Sequence, residues 1–115
     1  MFDNNDCLGI DKLQEVALNI YGEYNLDKSL IWMTEEFGEV IQAIRKGKSK
    51  EDITEEIGDL MAWILCVSNI LNIKLAQAIN ITFSKEINRQ IKKYGKLKYC
   101  KDINYILPNL KEFFK

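Results

Sequence analysis

The 115-residue chain contains no histidine. That absence removes H-E-x-x-H zinc sites, E-x-x-H di-iron bundles and the Ser-His-Asp triad together, so any chemistry has to run on carboxylates, lysines and bound metal. Its three cysteines, Cys7, Cys66 and Cys100, are odd in number, far apart and without a C-x-x-C spacing. They speak against a disulfide framework or a zinc site and fit a reducing cytoplasm. One proline and six glycines leave little to interrupt helices, and the aliphatic-rich remainder points to an all-α fold. No apolar run reaches the roughly 18 residues of a membrane span. The acidic start around Asp3 and Asp6 resembles neither a signal nor a transit peptide, so a soluble, unprocessed, cytoplasmic chain without a membrane partner is expected.

At this length a single domain over residues 1–115 is expected, with a core at about 10–95 and a basic, aromatic tail at 96–115. A core so small gains from association, which predicts a dimer or a higher oligomer. Leu13, Val16, Ala17, Ile20 and Tyr24 fall at helical spacing and predict a first helix over residues 10–24. Asp27 is the expected cap of a second, with Leu30, Met33, Phe37, Val40 and Ile44 as its core stripe. Gly47 ends that helix, and Ser49 with Asp52 gives the third a start like a capping box. From Leu60 to Leu71 the third helix is apolar on nearly every side, as a buried helix is. A fourth is expected over residues 73–94, with Ala76, Ile79, Phe83, Ile87 and Ile91 inward and Gly95 closing it. Pro108 would open a short last helix.

Two acidic runs stand out, EEFGE at 35–39 and EEIGD at 55–59. Carboxylates three residues apart share a helix face, so Glu36 pairs with Glu39 and Glu56 with Asp59. The two pairs are equidistant from the turn at 47–49. In an antiparallel hairpin, a rise of about 1.5 Å per residue sets both at one level, roughly 15 Å from the turn. Four carboxylates then converge on one cavity, and such a cluster repels itself unless protons or a hard divalent cation, Mg²⁺ or Mn²⁺, neutralise it. Steps of about 100° place Trp32, Glu36, Glu39 and Ala43 on one strip of the second helix, beside the core stripe, and Glu56, Asp59, Trp63 and Cys66 on a matching strip of the third. Each indole is placed either to stack on a nucleobase or to pack the bundle. Charge is uneven too: residues 35–59 hold eight acids and four bases, residues 85–101 seven bases and one acid. Lys85, Asn88 and Lys92 share a face of the fourth helix and would suit a polyphosphate, although a lysine-rich helix end also simply complements the helix dipole.

At these residues the chain resembles the MazG-like, all-alpha nucleoside triphosphate pyrophosphohydrolases, whose pattern is E-E-x-x-E, a spacer through a turn, then E-x-x-D. The resemblance covers about residues 10–95. It implies a four-helix protomer whose bundle is completed by dimerisation, as homodimer or homotetramer, and Mg²⁺-dependent hydrolysis of (d)NTP to (d)NMP and pyrophosphate at the α–β phosphoanhydride, in keeping with nucleotide-pool house-cleaning. Glu36, Glu39, Glu56 and Asp59 correspond to the metal ligands, and Glu35 to a base for the attacking water or to a surface acid. Lys85 and Asn88 match a lysine and an asparagine of the family's last core helix. Where the family has a basic residue three positions later this chain has Ile91, a departure that Arg89 or Lys92 would have to offset.

Besides a plain helical bundle whose acids only decorate its surface, two other classes of reading remain at this level. One is a non-catalytic binder that keeps the metal and nucleotide pocket to sense, or to serve as an oligomeric partner of another protein. The other is nucleic-acid binding through Lys85, Arg89, Lys92, Lys93, Lys96, Lys98 and Lys101, which the net charge of −1 and the acidic centre disfavour.

Overall fold

The computed structural model describes residues 7–100, which form four α-helices and no strand. The expected helix at Pro108 and most of the tail 96–115 lie outside the described residues. The chain forms two compact units, one reaching Leu75 and the other starting at Ala76. No single helix among the described residues is long and apolar enough to cross a membrane.

The first unit holds α1 (Ile10–Tyr21), α2 (Leu26–Arg45) and α3 (Lys50–Ile70), with α2 packed along α3 and α1 packed on α3. α1 stops three residues earlier than its apolar spacing predicts, because Gly22 takes a positive φ of 64° and its N–H bonds the Leu18 carbonyl. Asn25 caps α2, its side chain accepting from the Lys28 N–H at 2.9 Å. The expected cap, Asp27, sits instead in the first turn, where its charge complements the helix dipole. α2 ends in a Schellman closure at Gly47 (φ 67°), with Lys48 N–H on Ala43 O and Gly47 N–H on Ile44 O. Two residues on, Ser49 caps α3 by accepting from the Asp52 N–H at 3.1 Å, as its sequence predicts. The short connection enforces the antiparallel hairpin.

The packed face of that hairpin is not the stripe of large apolar residues. On α2 the buried or half-buried positions are Leu26, Ser29, Met33, Glu36, Val40 and Ala43. Leu30, Phe37 and Ile44 remain exposed at 39, 56 and 55%. Ser29 and Ala43, at 0 and 2% exposure, are the most buried positions of α2, and side chains so small permit a close helix approach. Leu30, Phe37, Ile41 and Ile44 of α2 are displaced to one flank, and Ile57 and Met61 of α3 are exposed as well. α3 otherwise follows expectation, with Cys66, Val67 and Ser68 buried; Met61 and Leu71 are the exposed exceptions.

α1 is fastened to the far end of α3 through a polar junction. The buried Gln14 donates from Nε2 to Ile73 O at 2.6 Å and accepts at Oε1 from the Leu75 N–H at 3.0 Å. Asn69 donates from Nδ2 to the Gln14 carbonyl at 3.0 Å. Asn72 takes the left-handed conformation (φ 55°) and the Ile73 N–H closes α3 on Ser68 O. Because residues 72 and 73 are used in that closure, the next helix starts at Leu75 rather than at 73.

The second unit is built on α4 (Leu75–Tyr94), closed by Gly95 (φ 73°) bonding Ile91 O. Ala76, Ile79 and Ile87 are half-buried, whereas Phe83 and Ile91, expected inward, are 52 and 38% exposed.

Candidate functional site

Rotating the hairpin contact onto Ser29 and Ala43 carries Glu36 inward, onto the packed face rather than beside it. Glu56 occupies the corresponding place on α3, between the half-buried Ile53 and Leu60. Ligand atoms of Glu36, Glu56 and Asp59 all lie within 4.8 Å of one another. One oxygen of Glu36 and one of Glu56 are sealed from solvent, and no hydrogen-bond donor among the described residues reaches either. What faces them is acidic. Burial first, then the charges of Glu39 and Asp59, hold the Glu36 carboxyl above the ordinary range. Burial and Glu39 likewise raise Glu56, partly opposed by Lys48 from the turn. Glu39 is itself exposed but stands within sharing distance of a proton on either neighbour. The four carboxylates paired by sequence thus converge, three in a tight group and Glu39 at its side. Glu35 is exposed and outside the group.

Next to the carboxylates opens a cavity of about 430 Å³, lined by Trp32 and Trp63, the aromatic residues Tyr21 and Tyr24, and Ala62 and Cys66, with Glu36 and Asp59 at its acidic end. The two indoles meet at 5.3 Å between centroids, tilted by 53°. Tyr24 stacks on Trp32 at 5.6 Å and 19°. Burial pushes the Cys66 thiol up, so it stays protonated and lines the wall as a neutral group. Both tryptophans therefore border open space as well as packing on each other. Tyr24, placed by its spacing on a helical stripe, in fact lies on the α1–α2 connection and belongs to this cavity; its nearness to Trp32 crosses a helix boundary that apolar spacing had drawn too late.

Residues 25–93 match the family described as the MazG nucleotide pyrophosphohydrolase domain. The chain belongs to that family. No characterised protein and no solved structure gives a significant match. The matched MazG segment contains both acidic runs, the hairpin turn and nearly all of α4.

Lys85, Asn88 and Lys92 of this MazG chain are all exposed on α4, in the second unit. Arg89 is engaged locally: Nε and Nη2 donate to the two oxygens of Glu86 at 2.9 and 2.6 Å. Those bonds, with one from Gln90, lower Glu86 to about 2. Of the two residues considered to offset Ile91, Arg89 thus already spends its guanidinium within its own helix turn.

Proposed function

We propose that this protein hydrolyses nucleoside triphosphates to the monophosphate and pyrophosphate with a divalent cation, Mg²⁺ or Mn²⁺, as cofactor. The observation that carries this is the pair of buried, donorless oxygens on Glu36 and Glu56, set within a three-carboxylate group beside an aromatic cavity. A like-charged group of acceptors without donors costs free energy that a hard cation with oxygen ligands removes, and the donor set, all carboxylate, suits such an ion. Glu36, Glu39, Glu56 and Asp59 would hold it. When bound, it supplies charge neutralisation of phosphate oxygens and acidifies water.

The chain's own residues do the rest. Trp32 and Trp63 take the base against their rings, which fixes the triphosphate end toward Glu36 and Asp59. Glu35, exposed and outside the ligand group, is free to accept the proton of the attacking water. Lys85 and Asn88 keep the phosphate-contact role that the family resemblance implies for them, and Lys92 is the candidate for the missing basic residue at 91. The exposed apolar flank of Leu30, Phe37, Ile41 and Ile44 supports self-association, which would bury what one protomer leaves in water. Sedimentation equilibrium should return a dimer or tetramer.

Pyrophosphate release from a panel of ribo- and deoxynucleoside triphosphates tests the reading. Metal-dependent release, lost in a Glu36→Gln, Glu39→Gln variant, is expected. A folded oligomer that binds metal and gains thermal stability from nucleotide, yet releases no pyrophosphate, would refute catalysis and leave a sensor.

A further inference from the structure

The connection between α1 and α2 is only four residues long, and it reaches the cavity. Gly22 begins it with φ 64° and ψ −160°, a combination open to glycine and strained for other residues. Asn25 ends it as the cap of α2. Between these two fixed points Tyr24 lays its ring on Trp32. The ring is half-exposed, yet about 430 Å³ stays open with it seated. Tyr24 is therefore a wall of the cavity and does not fill it. Among the described residues no lysine, arginine, asparagine or glutamine lines this space. A flat ring would be held here by stacking and desolvation, independently of whatever grips the phosphates.

The geometry points to Tyr24 as a positioning residue of a ring-binding subsite that works without phosphate or metal: by stacking on Trp32 it fixes the indole that receives the nucleobase. Trp32 is 37% exposed, and an indole so open has rotamer freedom that a ligand must otherwise freeze. Tyr24 removes part of that freedom before the ligand arrives. The identity of the ring as a nucleobase rests on the function proposed above, but its capture does not require turnover.

The chain has two tryptophans and both line this cavity, so indole emission reports on it alone. The full chain is titrated in EDTA with adenosine, guanosine, cytidine and thymidine, none of which carries phosphate. Saturable quenching by at least one nucleoside is expected. Its dissociation constant should rise about two- to twelvefold in Tyr24→Leu and stay near wild type in Tyr24→Phe, the range expected of one aromatic pair. Mn²⁺ binding should be the same in all three proteins. Should Tyr24→Leu lose its helical signal, Tyr24→Met, which keeps length without a ring, gives the same comparison. Absence of saturable quenching by every nucleoside overturns the subsite even if nucleoside triphosphates are hydrolysed. Wild-type affinity in the ringless variant overturns the role of Tyr24.

Discussion

Two groups of buried polar atoms in the first unit are treated in opposite ways. At the α1–α3 junction Gln14 has a partner for its donor and its acceptor, and its carbonyl takes a bond from Asn69. On the α2–α3 hairpin Glu36 and Glu56 each keep a buried oxygen with no donor. The cost of burying a polar atom is similar in kind at both places, so the difference lies in where compensation comes from. Gln14 is compensated by the chain and holds the fold together. The two carboxylate oxygens have no such compensation among the described residues, which is what supports the cation site proposed above.

The contrast can be broken most severely at the carboxylates. Glu36→Gln should cut pyrophosphate release at least about 100-fold, on the scale of losing one electrostatic contact to a transition state. The same variant should melt no lower than wild type in EDTA, since it removes one member of a repelling group. Gln14→Leu should do the reverse. It strands the Ile73 carbonyl and the Leu75 N–H and is expected to lower unfolding free energy by about 2–4 kcal/mol, read by urea titration, while leaving Mn²⁺ affinity intact.

The pH dependence sharpens the comparison further. Glu36 and Glu56 have folded-state values raised above the unfolded ones, so the folded chain binds more protons between the two. Metal-free stability is then fullest at and below the ordinary carboxylate range and falls as pH rises through the raised values. A bound cation replaces those protons. The increase in melting temperature on adding Mg²⁺ should accordingly be larger at pH 8 than at pH 5, and Gln14→Leu should show the same pH trend as wild type.

The smallest effect is expected at Gly38, which lies between Glu36 and Glu39 in sequence while a Cβ built there meets nothing within 4 Å. Gly38→Ala should stabilise α2 by about 0.5–1 kcal/mol through chain entropy alone. Destabilisation in the thermal melt would instead mean that a second copy approaches α2 at that point.

Much of the site was legible in one dimension. Carboxylates three apart and equidistant from a Gly-Lys-Ser turn converge in any antiparallel hairpin, because helical rise and periodicity are properties of the backbone. The ends of helices were partly legible for the same reason: Gly47, Ser49 and Gly95 act on their nearest neighbours. Asn72 was not, since asparagine takes the left-handed conformation only where the local closure calls for it, and the true cap Asn25 was not separable in sequence from Asp27 because both are good cap residues two positions apart. Gln14 carried no signal, as its partners lie 55 to 61 residues away.

What the sequence determined by itself, then, is an all-α chain with an acidic hairpin, because these follow from local periodicity and residue chemistry, while the MazG assignment rests on the likeness of its motifs to that family. Only the tertiary structure decided which face of that hairpin packs. An apolar stripe says that a surface avoids water, but not what covers it, and the most buried positions of α2 are Ser29 and Ala43. With that face packed, Leu30, Phe37 and Ile44 stay exposed and Glu36 is half-buried, because close packing is set by the shapes of both partners and not by the hydrophobicity of one.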